Sequence, residues 1–307
     1  MTTWVVLVFW AGSMAWFART HLGTIAENQP PPPQQELLPT EPRRLEPIRW
    51  RLSLDGRPVG WAEHRVQRRE DGFGEIASTV RIERLSVEQL AQQGLGGLGA
   101  MLLRGVGQGG TDLAHPLSMT VESVLRFDEF GQFHGFNCQV LEDDWGECIH
   151  LQGVVVDETL RLKAYLLIGD LVGQGQEGRE RGKPVFETRL PMPPDRTLTD
   201  AFMPSPQMRG LAVGDHWTWD SYLAFFPMSP LRTMEAEVVE EESIEVDGRS
   251  TKAFRVEYRR GPEDALSLDR RLGSAWVLAD GTVVRQTLVW GQFEIEFARQ
   301  DAPREVP

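Results

Sequence analysis

Residues 232–299 alternate apolar and polar side chains along several short segments, and this periodicity limits the fold more than any other feature. In residues 293–297, Phe-Glu-Ile-Glu-Phe, the apolar side chains fall on one face of an extended strand and the glutamates on the other. Asp-Gly dipeptides such as Asp280-Gly281 separate these segments, and glycine readily adopts the positive φ of a tight hairpin turn. The segment therefore predicts an antiparallel meander with one buried face.

The same alternation returns upstream, over residues 48–85 and 119–168. Near residues 62–64 the apolar phase slips, which predicts a β-bulge in that strand. Helical periodicity is rare in the rest of the chain. We therefore predict a mainly β fold with little helix, built as a large curved antiparallel sheet in a meander, half-barrel or sandwich-like arrangement.

These patterns predict one antiparallel β domain over residues 48–300. It consists of two comparable blocks, residues 48–169 and 184–299, separated by a polar, glycine-rich loop. We expect residues 301–307 to form a disordered tail.

The first residues predict a membrane anchor. Residues 4–17 contain no charged side chain, and residues 1–18 would form a helix of about 27 Å, close to the thickness of the hydrocarbon core. We assign residues 1–26 as a transmembrane helix or uncleaved signal, because no Lys or Arg precedes the apolar run. The alternative is a signal peptide cleaved after Ala15.

Residues 27–47 are rich in proline and contain the run Pro30-Pro31-Pro32-Pro33. Such a composition favours the polyproline II conformation, which is extended and semi-rigid. We predict that this linker holds the β domain away from the membrane.

The formal net charge of -13 argues against nucleic acid as a partner, because binding to a phosphate backbone depends on basic patches. The apolar content of 41% is ordinary for a folded protein and is sufficient for a sizeable core.

Cys138 and Cys148 flank a turn that we place at Asp143, which would bring them directly opposite each other. They form either a disulfide or a pair of small core residues. A disulfide would place the domain in an oxidising, extracytoplasmic compartment such as the periplasm. The single charge of Arg19 after the apolar run favours the cytoplasmic orientation instead. We expect the β domain to be extracytoplasmic, with the cytoplasmic orientation as the alternative.

No sequence motif assigns a catalytic residue, a metal site or a cofactor. Gly94, Gly96 and Gly99 match G-x-G-x-x-G, but the strand and helix that a dinucleotide site requires are not predicted around them. The six histidines have no close metal-ligand spacing, and no G-x-S-x-G is present. We therefore predict a protein that is not an enzyme.

Two tryptophans on one predicted strand face, Trp217 and Trp219, suggest a groove for an apolar ligand. Leu95, Leu98 and Leu102 lie in the glycine-rich insertion and would form a flap over it. The alternative is that the tryptophans are core residues, because burial is the common use of a large aromatic side chain.

Residues 275–285, Ala-Trp-Val-Leu-Ala-Asp-Gly-Thr-Val-Val-Arg, and the closing Phe-Glu-Ile-Glu-Phe strand resemble extracytoplasmic β domains of uncharacterised bacterial families. In architecture, such domains are similar to the lipoprotein-carrier half-barrels. The resemblance is clearest over residues 214–299. It implies a curved antiparallel sheet, an envelope location and, as one role, binding of a lipid-like ligand.

The anchor, the linker and the lack of catalytic motifs together predict a non-enzymatic, single-pass membrane protein of the envelope. We expect it to act as an accessory or scaffolding subunit of a membrane or envelope assembly, with the membrane and other envelope proteins as its partners. The alternative function is a binding module for a lipid-like or apolar ligand.

Overall fold

The computed structural model describes residues 38–39, 41–85, 117–144, 146–167, 184–191, 197–199, 204–223, 232–246, 248–261, 271–290 and 293–300. In this part of the chain there is no helix of the length and apolarity needed to cross a membrane. The predicted anchor (residues 1–26) and tail (residues 301–307) lie outside the described residues. The described strands are β1 (Arg43–Arg44), β2 (Ile48–Leu54), β3 (Arg57–Arg68), β4 (Gly74–Leu85), β5 (Leu117–Phe127), β6 (Phe133–Glu142), β7 (Gly146–Val156), β8 (Thr159–Leu166), β9 (Phe186–Pro191), β10 (Thr197–Thr199), β11 (His216–Leu223), β12 (Arg232–Val246), β13 (Arg249–Arg260), β14 (Arg271–Val277), β15 (Val283–Trp290) and β16 (Phe293–Gln300).

These strands form one sheet in the order β10-β11-β12-β13-β14-β15-β16-β2-β3-β4-β5-β6-β7-β8-β9, with β1 attached to β3. Nearly all neighbours pair antiparallel; the short β10 pairs parallel with β11. The two end strands, β9 and β10, do not pair with each other in the described sheet, so it is not closed. The prediction of a mainly antiparallel β fold is confirmed.

The sheet has two halves that meet at a central seam between β16 and β2. We call β2–β9 the N-terminal half and β10–β16 the C-terminal half. At the seam, Phe297 lies opposite Leu52, and the backbone N–H of Glu294 donates to the Asp55 carboxylate at 3.0 Å. Strand β9 belongs to the N-terminal half because it pairs with β8, so the predicted start of the second block at residue 184 is wrong.

One face of the sheet, which we call the inner face, carries the core. Its buried side chains form a single cluster that includes Trp50 and Phe297 at the seam, Leu151 in the N-terminal half and Val256 in the C-terminal half. Trp50 is 0% exposed, whereas side chains on an open, flat layer stay partly in water. This burial favours a sheet that curves round its own inner face.

The predicted linker extends too far along the chain. Strand β1 pairs with β3, and the N–H of Leu45 donates to the carbonyl of Val66 at 2.9 Å. Leu38 is only 9% exposed and packs over Gly74, where an added Cβ would lie 2.6 Å from its Cδ1 atom. The end of the proline-rich segment is therefore part of the folded domain.

The predicted bulge at residues 62–64 is also wrong. The register of β3 is regular there, and the irregularity lies at Val59 instead. The apolar phase looks broken because the outer face carries the apolar Trp61 and the inner face carries the polar His64. Glu63, on the outer face, is buried between Arg49 and Arg65. Burial alone would raise the pKa of Glu63, but hydrogen bonds from the two guanidinium groups lower it overall.

Candidate functional site

A row of three polar side chains and one cysteine, which we call the inner polar row, crosses the inner face of the N-terminal half. His64, Ser78, Ser123 and Cys138 lie on β3, β4, β5 and β6, and each is directly opposite the next in the strand register. All four are buried, with exposed fractions of 3%, 3%, 7% and 1%. Because neighbouring strands are about 4.8 Å apart, this inner polar row extends over about 14 Å.

Apolar rows lie on both sides of the inner polar row, two residues away along each strand. On one side the register aligns Ala62, Val80, Val121 and Val140. On the other side it aligns Val66, Ile76, Leu125 and Phe136. The inner polar row is therefore a narrow polar stripe within an apolar surface.

Two ring nitrogens at the seam end of this row are buried without a hydrogen-bond partner. His64 has its Nδ1 atom 3.2 Å from the Ser78 hydroxyl, but its Nε2 atom has no partner. The Nε1 atom of Trp50 is unpartnered as well, and Trp50 faces Ala62 on the row next to His64. A buried polar group that is left unsatisfied costs about 1–3 kcal/mol, so these atoms need a physical explanation.

Burial sets the charge of this row. It lowers the pKa of His64 to about 4, so the imidazole is neutral near neutral pH. Its nearest inner-face neighbours in the register are Ile48 and Ser78, and neither carries a charge. The row can offer neutral hydrogen-bond donors and acceptors.

The contact between His64 and Ser78 is not a hydrolytic triad among the described residues. A triad needs a carboxylate on the second ring nitrogen of the histidine, to orient the ring and stabilise its charged form. In this protein the Nε2 atom of His64 has no such partner. This geometry fits recognition of a polar group better than activation of a hydroxyl.

The predicted disulfide depends on a strand register that the structure does not have. The turn between β6 and β7 is centred one residue later than Asp143, and a bulge after Val140 adds a further offset. Cys138 therefore lies opposite Leu151, about 10 Å along the strand from the position of Cys148, which is too far for a disulfide. Both cysteines are buried and neither forms a disulfide, and burial raises the pKa of Cys148 to about 11.

The predicted apolar groove is described only in part. Trp217 is 4% exposed on the inner face opposite Ala236, as a core residue would be. Trp219 lies on the same strand with its backbone opposite Met234, and its side chain is outside the described structure. Leu95, Leu98 and Leu102 are also outside the described residues.

A cleft of about 380 Å³ lies beside Trp217, and six of its nine lining residues have polar or charged side chains. Its lining residues are Gly214, His216, Trp217, Thr218, Glu235, Ala236, Glu237, Glu257 and Arg259. These charged side chains make the cleft unsuited to the hydrocarbon chain of an apolar ligand.

The outer face of the C-terminal half carries a network of paired charges, centred on Arg255. The guanidinium of Arg255 donates to Glu240 at 2.6 Å and also to Glu257, and Arg259 donates to Glu257 at 2.7 Å. We call these four residues the outer charge network. The hydrogen bond from Arg259 and the nearby charge of Arg255 lower the pKa of Glu257.

Trp276 and Arg285 extend this surface towards the seam. The indole N–H of Trp276 donates to Glu242, and the guanidinium of Arg285 lies 4.6 Å from the centre of its ring. Arg285 also pairs with Glu296 on β16. Most of the described charges on this face pair with one another, and these pairs stabilise the sheet.

Together, the fold and the inner polar row define a single-sheet antiparallel β protein with a polar stripe in its core. No family model and no curated protein matches the chain. Among solved structures it is similar to a β-barrel-like protein of the domain of unknown function DUF1849 from Brucella abortus, with 8% identity, a TM-score of 0.47, and coverage of 85% of this chain and 96% of that one. It is also similar to the hypothetical lipoprotein YmcC from Escherichia coli, with 7% identity, a TM-score of 0.22, and coverage of 87% of this chain and 93% of that one.

Both similar structures are uncharacterised bacterial β proteins, the kind of protein that the sequence resemblance implied. At these TM-scores, neither supports an argument about the function of this chain. The finer likeness to lipoprotein-carrier half-barrels stays a prediction.

The inner polar row as a whole has no signature within a single strand, so the sequence pattern does not predict it. Once the strands are paired, His64, Ser78, Ser123 and Cys138 all occupy inward positions between apolar neighbours. The signal was present at His64, where a polar residue interrupts the apolar phase of β3. It was interpreted as a bulge.

Proposed function

We propose that this chain is a non-enzymatic envelope protein whose sheet binds an amphiphilic, lipid-like ligand on its inner face. The observation that supports this proposal is the inner polar row, a polar stripe between two apolar rows with two unpartnered ring nitrogens at one end. The apolar rows would take the hydrocarbon part of the ligand. The polar row would take its head group.

The chemistry of the two nitrogens narrows the class of ligand. The Nε1–H of Trp50 can only donate a hydrogen bond, so the ligand must offer an acceptor oxygen. The neutral ring of His64 donates or accepts at Nε2, according to its tautomer. A carboxylic acid, an ester or a phosphoester attached to an apolar chain meets both requirements.

Binding of a fluorescent fatty acid to the full chain in detergent micelles tests this role. We expect His64→Leu to weaken binding about tenfold, because the head group loses one buried hydrogen bond. Trp61→Leu is the matched control: Trp61 is 43% exposed, and its side chain lies on the opposite face of the same strand. We expect this control to bind like the wild type.

Two outcomes would contradict the ligand-binding role. One is native mass spectrometry of the membrane-extracted protein without bound lipid, together with unchanged tryptophan emission on titration. The other is a His64→Leu protein that unfolds at higher denaturant and binds the probe as well as the wild type. That second outcome would make the row a structural imperfection only.

The proposed location is the envelope, with residues 1–26 as the membrane anchor and the β domain in the periplasm. The apolar run over residues 4–17 supports the anchor. Alkaline phosphatase fused after residue 300 tests the orientation, because the enzyme is active only outside the cytoplasm. An inactive fusion with an intact anchor would reverse the proposed topology.

A second candidate is the accessory or scaffolding role in a membrane assembly. The observation that favours it is strand β9, whose outer edge pairs with no described strand and offers backbone hydrogen bonds to another chain. Purification of the full chain as a lone monomer would count against this role and would leave the ligand-binding role untouched.

A further inference from the structure

We propose that the outer edge of β9, which pairs with no described strand, pairs through Glu187 and Arg189 with β9 of a second copy of this chain, so that two sheets join across a two-fold axis. Strand β9, Phe186–Pro191, ends the N-terminal half of the sheet. This inference concerns a different surface from the inner polar row and does not depend on ligand binding. It gives the accessory role a definite partner.

The strand register shows which backbone groups of β9 face outwards. The N–H of Leu167 donates to the carbonyl of Cys148, so the backbone N–H and C=O groups of the odd-numbered residues of β8 point towards β7. The backbone groups of the even-numbered residues of β8 therefore point towards β9, where Leu162 lies opposite Thr188. The N–H and C=O groups of Glu187 and Arg189 are left on the free edge.

These outward groups are self-complementary in one antiparallel register. With Thr188 on the two-fold axis, Glu187 lies directly opposite the partner's Arg189, and Arg189 lies opposite the partner's Glu187. Each of these two pairs exchanges two backbone hydrogen bonds. The ends of the strand limit the register, because Pro191 has no N–H to donate.

The side chains favour the same register. Glu187 and Arg189 are both exposed, and each would meet an opposite charge on the partner. Within one copy, Arg189 faces Arg161 across the β8–β9 pair, a like-charge contact that the partner's Glu187 would relieve. On the inner side, Phe186 would face the partner's Leu190, so an apolar pair would continue the core. Registers centred on Glu187 or Arg189 would set like charges opposite each other.

Sedimentation of the full chain in density-matched micelles tests the proposal. We expect a dimer for the wild type and a dissociation constant about tenfold higher for Arg189→Glu, because this change creates two pairs of opposed carboxylates across the axis. We expect this variant to fold like the wild type, because its new carboxylate lies opposite Arg161 in the same copy. The double swap Glu187→Arg with Arg189→Glu restores opposite charges and should restore the dimer. A monomeric wild type, or equal dimerisation of Arg189→Glu, would overturn the proposal.

A cysteine cross-link tests the register directly. Thr188 on the axis forms a pair without backbone hydrogen bonds, the arrangement in which antiparallel side chains approach most closely. We expect Thr188→Cys to form a covalent dimer on mild oxidation. The controls are the wild type, whose own cysteines are buried, and Glu187→Cys, which is displaced from its symmetry mate; neither should cross-link. Equal cross-linking of Glu187→Cys and Thr188→Cys would reject this register.

Discussion

The two halves of the sheet place their polar side chains in opposite ways. The N-terminal half buries the inner polar row in its core and leaves Nε2 of His64 without a partner. The C-terminal half keeps its polar groups on the outer face, where Arg255 and its neighbours satisfy one another. Gln286, on the inner face near the seam, departs from this arrangement, with an unpartnered Oε1 atom, and the Nε atom of Arg285 on the outer face is also without a partner among the described residues.

Under the proposed ligand-binding role, stability and binding would be carried by different halves of the sheet. Paired charges on an outer face stabilise a sheet only modestly, and their hydrogen-bonding groups already have partners within the protein. Unpaired polar groups in a core lower its stability until a ligand satisfies them. The N-terminal half is therefore the part of the described molecule that is suited to a ligand.

The largest expected effect is at Trp50. Replacing Trp50 by Ala should lower the free energy of unfolding by about 3–5 kcal/mol, because it empties a fully buried site at the seam. Urea unfolding of the full chain in micelles measures this loss. The control is Trp61→Ala on the outer face, 43% exposed, for which we expect a loss below about 1 kcal/mol. Equal losses would mean that the inner face is not the core.

The next effect is a pH dependence that comes from the N-terminal half. The pKa of His64 is lowered to about 4 in the fold, so between pH 6.5 and 4 the unfolded chain takes up a proton that the folded chain does not. Stability should therefore be complete above pH 6.5 and fall by about 3 kcal/mol as the pH drops to 4.

Urea unfolding at several pH values measures that slope. In His64→Gln the slope between pH 6.5 and 4.5 should largely disappear, while the carboxylates still lower stability in stronger acid. If His64→Gln keeps the wild-type slope, the proton uptake belongs to another group.

A smaller effect is expected in the outer charge network. Arg255→Met should lower the free energy of unfolding by about 1–2 kcal/mol, because three glutamates lose a shared partner: Glu240, Glu242 and Glu257. The loss should shrink in high salt.

The smallest change is expected for Lys252→Met. This substitution removes a single pair with Glu241 at a side chain that is 74% exposed, and it should lower the free energy of unfolding by about 0.3 kcal/mol. Similar losses at Arg255 and Lys252 would show that the network adds nothing beyond isolated pairs.

Much of the strand pattern could be predicted from the sequence, because period-two alternation and Asp-Gly turns are local signals. Strands β5 to β8 cover most of residues 119–168, where alternation predicts strands, and Gly281 has the positive φ of 86° expected after Asp280. The pairing of β9 with β8 could not be predicted in this way. It depends on which strand returns after a long connection, and alternation carries no information about that.

The candidate site was less predictable for the same reason. The inner polar row exists only when four strands are in register, and a shift of one residue in any of them would turn its polar side chain outwards. The cysteine pair shows how sensitive this is: one displaced turn and one bulge moved Cys138 from the predicted partner to Leu151. Local periodicity gives the face of a residue but not its neighbour across the sheet.

The seam between β16 and β2 also has a consequence for folding kinetics. The contact between Glu294 and Asp55 joins residues 239 positions apart, which is a closure over most of the chain. The chain must lose the conformational entropy of this loop before the contacts that close it can stabilise the fold. Folding rates therefore fall as contacts become less local. During synthesis, β2 must keep one edge unpaired until residues 293–300 have emerged. In that interval the exposed edge, rather than either end of the finished sheet, is where the nascent chain is open to mispairing and to chaperones.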